Sequence, residues 1–186
     1  MFAPDWLAPE APRPLRRVEY EKLAQLGAFD DERVELLYGS LIAMSPQGPA
    51  HDFAIQKLTR MLILTLADRA DVRVQSAFAA GDHSEPQPDV AVVPRGDYSA
   101  AHPTEALLVV EVADSSLKKD RTVKARLYAE RGVPEYWVVD LRGGVVEVHS
   151  EIVNAAYSRV TPYRTGAVIR LQRFEDVVLT VAEFLA

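Results

Sequence analysis

The sequence predicts an α/β protein in which helices flank a mixed β-sheet. Short continuous apolar runs at residues 90–93 and 107–112 are typical of strands covered on both faces. Apolar residues at helical spacing between residues 50 and 68 predict a long helix that forms one wall of the core. The order helix, hairpin, helix, strands, helix, strand favours a mixed sheet over a purely parallel one.

Length and composition indicate one globular domain. The chain has 186 residues, of which 48% are hydrophobic and 26% charged, as in soluble proteins. The absence of cysteine excludes disulfides, cysteine nucleophiles and thiolate zinc sites. We expect a cytoplasmic protein, because no signal peptide opens the chain and no apolar run is long enough to span a bilayer.

The first half of the chain is predicted to contain two helices and a hairpin. Residues 1–16 hold four prolines and predict an extended arm, which leaves residues 17–186 as the domain. A helix over residues 18–26 would stop at Gly27. Arms at residues 33–38 and 41–45 predict a hairpin turning at Gly39 and Ser40, with Glu35 in its first arm. The long helix of residues 50–68 follows.

The second half is predicted to be rich in strands. Asp120 is expected to cap a helix over residues 121–131 that closes at Gly132. Gly143 and Gly144 predict a hairpin turn, so the C-terminal part adds antiparallel strands. Thr180 and Glu183 form a capping box for a short last helix. The predicted strands cover residues 72–78, 90–93, 107–112, 136–139, 145–149, 157–163 and 168–171.

Two acidic residues stand out because they interrupt or head apolar strands. Glu111 lies inside an apolar run, where an unpaired charge would cost several kcal/mol. Asp89 heads the neighbouring run. Two acids from adjacent strands with a lysine nearby suit a hard divalent cation and a phosphate ester. A buried ion pair of Glu111 with Arg121 or Lys124 explains the pattern equally well.

The helix after the Glu111 strand carries basic residues. Arg121, Lys124, Tyr128 and Arg131 share one face at α-helical spacing, and a lysine there can stabilise charge on a phosphate or help deprotonate water. His51, at the start of the long helix, more often reflects local hydrogen bonding than catalysis. A net charge of -6 argues against a simple nucleic-acid binder, so a nucleic acid would need a local patch. The candidate patch is Lys118, Lys119, Arg121, Lys124, Arg126 and Arg131.

These motifs together resemble a known family, the Uma-type restriction endonucleases of the PD-(D/E)XK nuclease superfamily. The resemblance extends from about residue 17 to residue 150. It rests on Glu35 to Gly39, Met44 to Pro46, Pro88-Asp89, Glu111-Val112, Asp120-Arg121, Lys124, Tyr128 and the segment of residues 132–140.

The resemblance implies a restriction-endonuclease-like core that binds Mg²⁺ or Mn²⁺ and hydrolyses nucleic acid, with DNA the expected substrate. It implies that Asp89, Glu111 and the Val112 carbonyl are metal ligands, with Glu35 as the third acid and Lys124 as the active lysine. The superfamily lysine normally follows the glutamate by two positions, where this chain has Ala113, so Lys124 on the next helix takes that role.

Two other functions stay open from the sequence. A catalytically quiet scaffold that binds nucleic acid or protein would keep the fold without binding metal. A hydrolase of small phosphoesters would suit the acidic net charge. Apolar edge material and the proline arm also suggest a homodimer, in which two sites could address two strands.

Overall fold

The computed structural model describes residues 12–185, which divide into two compact units. The smaller unit comprises residues up to Met44 together with Ala79–Pro86, and the larger comprises Ser45–Phe78 and residues from Gln87 onward. Residues 1–11 of the predicted arm lie outside the described part. The α-helices are α1 (Arg17–Gln25), α2 (Pro49–Leu66), α3 (Leu117–Lys119) and α4 (Ala125–Glu130). The strands are β1 (Val34–Leu37), β2 (Ser40–Ala43), β3 (Asp71–Val74), β4 (Val90–Val93), β5 (Leu108–Ala113), β6 (Glu135–Asp140), β7 (Val145–Val153), β8 (Ala156–Arg164), β9 (Val168–Arg170) and β10 (Val178–Thr180).

The smaller unit is built on the β1–β2 hairpin. Its two-residue loop is Tyr38-Gly39, with φ of 49° and 77°, so the turn lies one residue earlier than predicted. Two positive φ angles suit the right-handed twist of the strands. Gly39 is also required by crowding, because a Cβ there would collide with the Pro14 side chain. Helix α1 ends before Gly27 (φ 78°), as predicted.

The larger unit contains a six-stranded sheet in the order β3-β4-β5-β6-β7-β8. Only β5 and β6 pair in parallel, and the helical segment between them provides the crossover that a parallel pair needs. The predicted mixed sheet and the added C-terminal antiparallel strands are therefore confirmed. Strands β9 and β10 form a separate antiparallel pair.

The two faces of this sheet are covered by different segments. One face packs in a single apolar cluster with α2 and the C-terminal residues, including Leu58, Trp137 and Phe184. The other carries Tyr136, whose ring centroid lies 5.0 Å from that of Tyr128 on α4. Strands buried on both faces explain the continuous apolar runs in the sequence. No helix among residues 12–185 is both long and apolar enough to cross a membrane.

Three predicted elements differ from the structure. The strand expected at residues 72–78 ends at Val74, because Gln75 adopts a φ of 46°, which is incompatible with an extended chain. Asp120 does not cap a helix. It lies within a continuous helical stretch that starts at Leu117 and includes a π-helical segment at Asp120–Lys124. The predicted C-terminal helix is a short 3₁₀ turn at Val181–Glu183.

A buried acid in the smaller unit should make its stability depend on pH. Burial raises the pKa of Glu85 to about 7, helped by a hydrogen bond with Glu21 and opposed by Arg17. Between about pH 4.5 and 7 the folded chain keeps a proton that the unfolded chain has lost, so stability falls as pH rises. We expect Glu85→Gln to leave stability at pH 4 unchanged and to raise it by about 2–3 kcal/mol at pH 8.

Denaturant titrations of wild type and Glu85→Gln across this pH range would measure the effect. The same change at the exposed Glu32 serves as the control, with a pH profile that follows wild type. Parallel profiles for wild type and Glu85→Gln would contradict the assignment of Glu85 as the titrating group.

Candidate active site

The two predicted acids lie side by side at one end of the sheet. Val90 pairs with Val110 in the antiparallel β4–β5 register, so Asp89 and Glu111 occupy the next pair of positions. Side chains at paired positions project to the same face. Asp89 Oδ2 also accepts a hydrogen bond of 2.8 Å from the backbone N–H of Val112, which ties the two strands together at this point.

Glu111 is held by the helical segment that follows its own strand. Lys124 Nζ donates to Glu111 Oε1 at 2.9 Å, and Tyr128 Oη donates to the same oxygen at 2.7 Å. All three side chains are buried. The ion pair was one of the alternatives that the sequence left open, and it also places the predicted active lysine directly on a predicted ligand.

The π-helical segment determines which basic side chain reaches the acid. A π turn inserts about one extra residue, so it rotates the preceding part of the helix relative to the part after the turn. Lys124 and Tyr128 face the sheet, whereas Arg121 is about a third exposed and binds Glu147 (2.7 Å) and Asp140 (3.2 Å). The prediction that Arg121 shares the face of Lys124 is therefore wrong, and so is its pairing with Glu111.

His51 is a neighbour of the site that the sequence interpretation set aside. Its Nε2 lies 3.2 Å from Asp89 Oδ2, and its buried Nδ1 has no hydrogen-bond partner among residues 12–185. Burial works to lower the pKa of His51, but the hydrogen bond and charge of Asp89 outweigh it, so the pKa is raised. The backbone of Val112 adds a further hydrogen bond.

Asp120 is a further acidic residue near the site, and the sequence analysis did not predict it as a site residue. Its carboxylate accepts a hydrogen bond of 2.5 Å from Ser116 Oγ, and its side chain is almost fully buried. Burial raises the pKa of Asp120, while the charge of Lys124 works to lower it. Asp120 thus contributes to the charge environment of Lys124 from one turn earlier in the helix.

The donor set suits a hard divalent cation. Asp89, Glu111 and the Val112 carbonyl all offer oxygen, and Mg²⁺ needs only one or two carboxylates because it keeps several waters. Asp89 Oδ1 has no hydrogen-bond partner in the described chain, so an oxygen remains available for a ligand. No group of three or more acidic, histidine or cysteine side chains converges at metal-ligand spacing within residues 12–185. Glu35 is fully buried in β1 of the smaller unit, and its part in the site stays a prediction.

Three of the six residues in the predicted basic patch form ion pairs with acidic side chains. Besides the pairs of Lys124 and Arg121, Arg126 Nε binds Glu130 at 2.8 Å. These contacts reduce the positive charge available for a phosphate backbone.

A mixed sheet with a buried acid–lysine pair at its end fits the restriction-endonuclease-like class predicted from the sequence. The sequence profile of the Uma2 family, described as "Putative restriction endonuclease", matches residues 17–182, and the chain belongs to this family. The predicted family resemblance is thus confirmed.

A solved structure agrees on the fold. A putative nuclease belonging to DUF820 from Anabaena variabilis superposes with a TM-score of 0.74 at 17% identity, covering 92% of this chain and 98% of that chain. The type IIG restriction endonuclease BpuSI overlaps with a TM-score of 0.45 and 14% identity, over 68% of this chain and 16% of its own, which is too slight to support an argument. A search of curated proteins found no match.

Proposed function

We propose that this chain is a metal-dependent endonuclease that hydrolyses phosphodiester bonds in DNA. The observation that carries the proposal is the buried contact between Lys124 Nζ and Glu111 Oε1, placed beside Asp89 at one end of a nuclease-family sheet. A buried lysine and two neighbouring acids are costly for a fold, and such groups concentrate at functional sites.

Asp89, Glu111 and the Val112 carbonyl would hold Mg²⁺ or Mn²⁺, with Glu35 as a third acid. A bound divalent cation would supply Lewis-acid chemistry, lowering the pKa of a coordinated water and offsetting charge on the phosphate. The chain's own contribution is rigidity, because the Val112 N–H fixes Asp89 and the Tyr128 hydroxyl fixes Glu111.

Lys124 would act on the scissile phosphate. Its ammonium group lies at the buried end of the site, where a positive charge interacts more strongly than in water. The ammonium group would stabilise the negative charge that develops on the phosphate oxygens. Its hydrogen bond to Glu111 fixes the distance between the ammonium group and the proposed metal ligands. Lys124 would thereby take the role of the superfamily lysine, whose usual position is occupied by Ala113 in this chain.

The cellular setting follows the same proposal. We place the activity in the cytoplasm, where DNA is accessible. We also propose that the acting form is a homodimer, since cleavage of both strands of a duplex needs two sites. Because Arg121, Lys124 and Arg126 already form ion pairs within the chain, substrate contact would depend on the bound cation as much as on the basic patch.

Cleavage assays with single-stranded DNA, double-stranded DNA and RNA would test the proposal in Mg²⁺, Mn²⁺ or EDTA. We expect metal-dependent cutting of DNA that falls at least about 100-fold in Asp89→Asn, because loss of even an outer partner of a metal ligand costs 10–100-fold. Calorimetry should show Mn²⁺ binding that Asp89→Asn loses. Asp114→Asn is the matched control, since Asp114 is exposed and pairs with Arg142 on the surface.

One observation favours a second candidate, the catalytically quiet binding scaffold. Two donors already satisfy Glu111 Oε1 within the chain, so the site does not need a metal to be stable. That candidate predicts no metal binding and no cleavage, with nucleic-acid affinity unaffected by Asp89→Asn. Turnover of a model phosphodiester without DNA binding would instead identify a small-phosphoester hydrolase.

A further inference from the structure

The outer face of α2 borders an open groove in the larger unit, and Gln75 in the groove lining donates its backbone N–H to the Asp89 carbonyl at 3.1 Å. The groove has a volume of about 600 Å³ and is mainly apolar. Ile63 and Leu64 on its wall are 52% and 68% exposed, and Val74 at the end of β3 adjoins them. Contiguous exposed apolar side chains of this kind mark interaction surfaces.

Two opposite charges line the same groove. Asp52 and Arg60 lie eight residues apart on α2, which is about 12 Å along the helix axis. Arg60 forms no ion pair with any residue in the described range 12–185, and Asp52 approaches only the ring of the adjacent His51, at 3.8 Å. The groove thus carries one acid and one base, both available to a partner.

The charge pattern along α2 is complementary to that of a second, antiparallel copy of the same helix. Gln56 lies midway between Asp52 and Arg60, so an antiparallel copy of α2 centred on Gln56 would bring each acid opposite the other copy's base. The same operation places Ile63 opposite Pro49, and both are exposed and apolar. A two-fold interface requires such reciprocity, with each residue pair occurring twice.

We propose that a second copy of this chain docks in this groove through α2, with the two-fold axis beside Gln56. The contact comprises two Asp52–Arg60 ion pairs on either side of Gln56, and beyond each ion pair Ile63 of one copy meets Pro49 of the other. This inference rests on the homodimer part of the proposed function and assigns it a surface. It uses none of the residues placed in the active site.

Sedimentation velocity of the full chain over a wide concentration range tests the surface. Wild type should form dimers, and Arg60→Asp should raise the dimer Kd at least about 100-fold, because like charges then meet twice across the axis. The reciprocal variant Asp52→Arg/Arg60→Asp should recover the dimer. Leu64→Glu should weaken the dimer independently of the charges.

Several controls make the result specific. Lys57→Asp changes an exposed charge on α2 outside the groove and should leave the dimer intact. Asp89→Asn should stay dimeric while losing cleavage, so failure of the nuclease proposal and failure of this one are distinguishable. A monomeric wild type would overturn the inference and leave the groove to a different partner. Unchanged dimers in Arg60→Asp, or no recovery in the reciprocal variant, would also overturn it.

Discussion

Replacing Lys124 by methionine should abolish cleavage and lower the free energy of unfolding by about 3–5 kcal/mol. Methionine fills a similar volume but removes the charge that compensates Glu111. Both side chains are nearly inaccessible to solvent, so the carboxylate cannot recover hydration. Tyr128 would remain as its donor, but one neutral hydroxyl does not balance a buried charge.

Chemical denaturation and the cleavage assay would measure the two effects separately. The double variant Lys124→Met/Glu111→Leu should regain most of the lost stability, since apolar residues can replace a buried ion pair, while remaining inactive. Lys22→Met, on an exposed position of α1, is the control for removing a lysine. Cleavage at the wild-type rate in Lys124→Met would show that this lysine has no part in the reaction.

The sheet and the central acids could be predicted because their signals are local. Glu111 interrupts an apolar run, and the cost of burying a charge makes that position informative without any knowledge of the fold. The β4 and β5 runs are continuous because both faces are covered. Lys124 is indicated by its position on the helix after the Glu111 strand as well as by the family resemblance, and its contact with Glu111 matches one of the two ion pairs that the sequence allows.

The side-chain arrangement on the helix could not be predicted, because a π turn has no signature in composition. The expected face of Arg121, Lys124 and Tyr128 assumed 3.6 residues per turn throughout. The wider π-helical turn at Asp120–Lys124 rotates Arg121 away from that face, and Arg121 binds Glu147 instead. The prediction that Asp120 caps the helix fails for a different reason, because the helical stretch begins three residues earlier, at Leu117.

His51 did leave a signal in the sequence. It shares the buried face of α2 with Ala54, Ile55 and Leu58, and a histidine on an apolar face needs a polar partner. Asp89 is that partner. The contact itself joins residues 38 positions apart, so only the fold could identify it.

Another buried carboxylate, at the opposite end of the sheet, should matter for stability alone. Glu135 begins β6, and its two oxygens accept hydrogen bonds from the Trp137 indole N–H (2.7 Å) and the Gln172 backbone N–H (2.8 Å). Burial raises the pKa of Glu135, while these two bonds act to lower it. The side chain thus joins the central sheet to the segment that follows β9.

Glu135→Leu should lower the free energy of unfolding by about 2–6 kcal/mol, because two buried donors lose their acceptor at about 1–3 kcal/mol each. Glu135→Gln keeps one acceptor oxygen and should fall between Leu and wild type. Denaturant titration gives this order, with exposed Glu105→Gln as the control. Hydrogen exchange at the Gln172 amide should accelerate in Glu135→Leu, whereas an unchanged rate would mean that the carboxylate does not hold this segment. Metal binding should be unaffected in the folded variant, because Glu135 shares no hydrogen bond with Asp89 or Glu111 in the described chain.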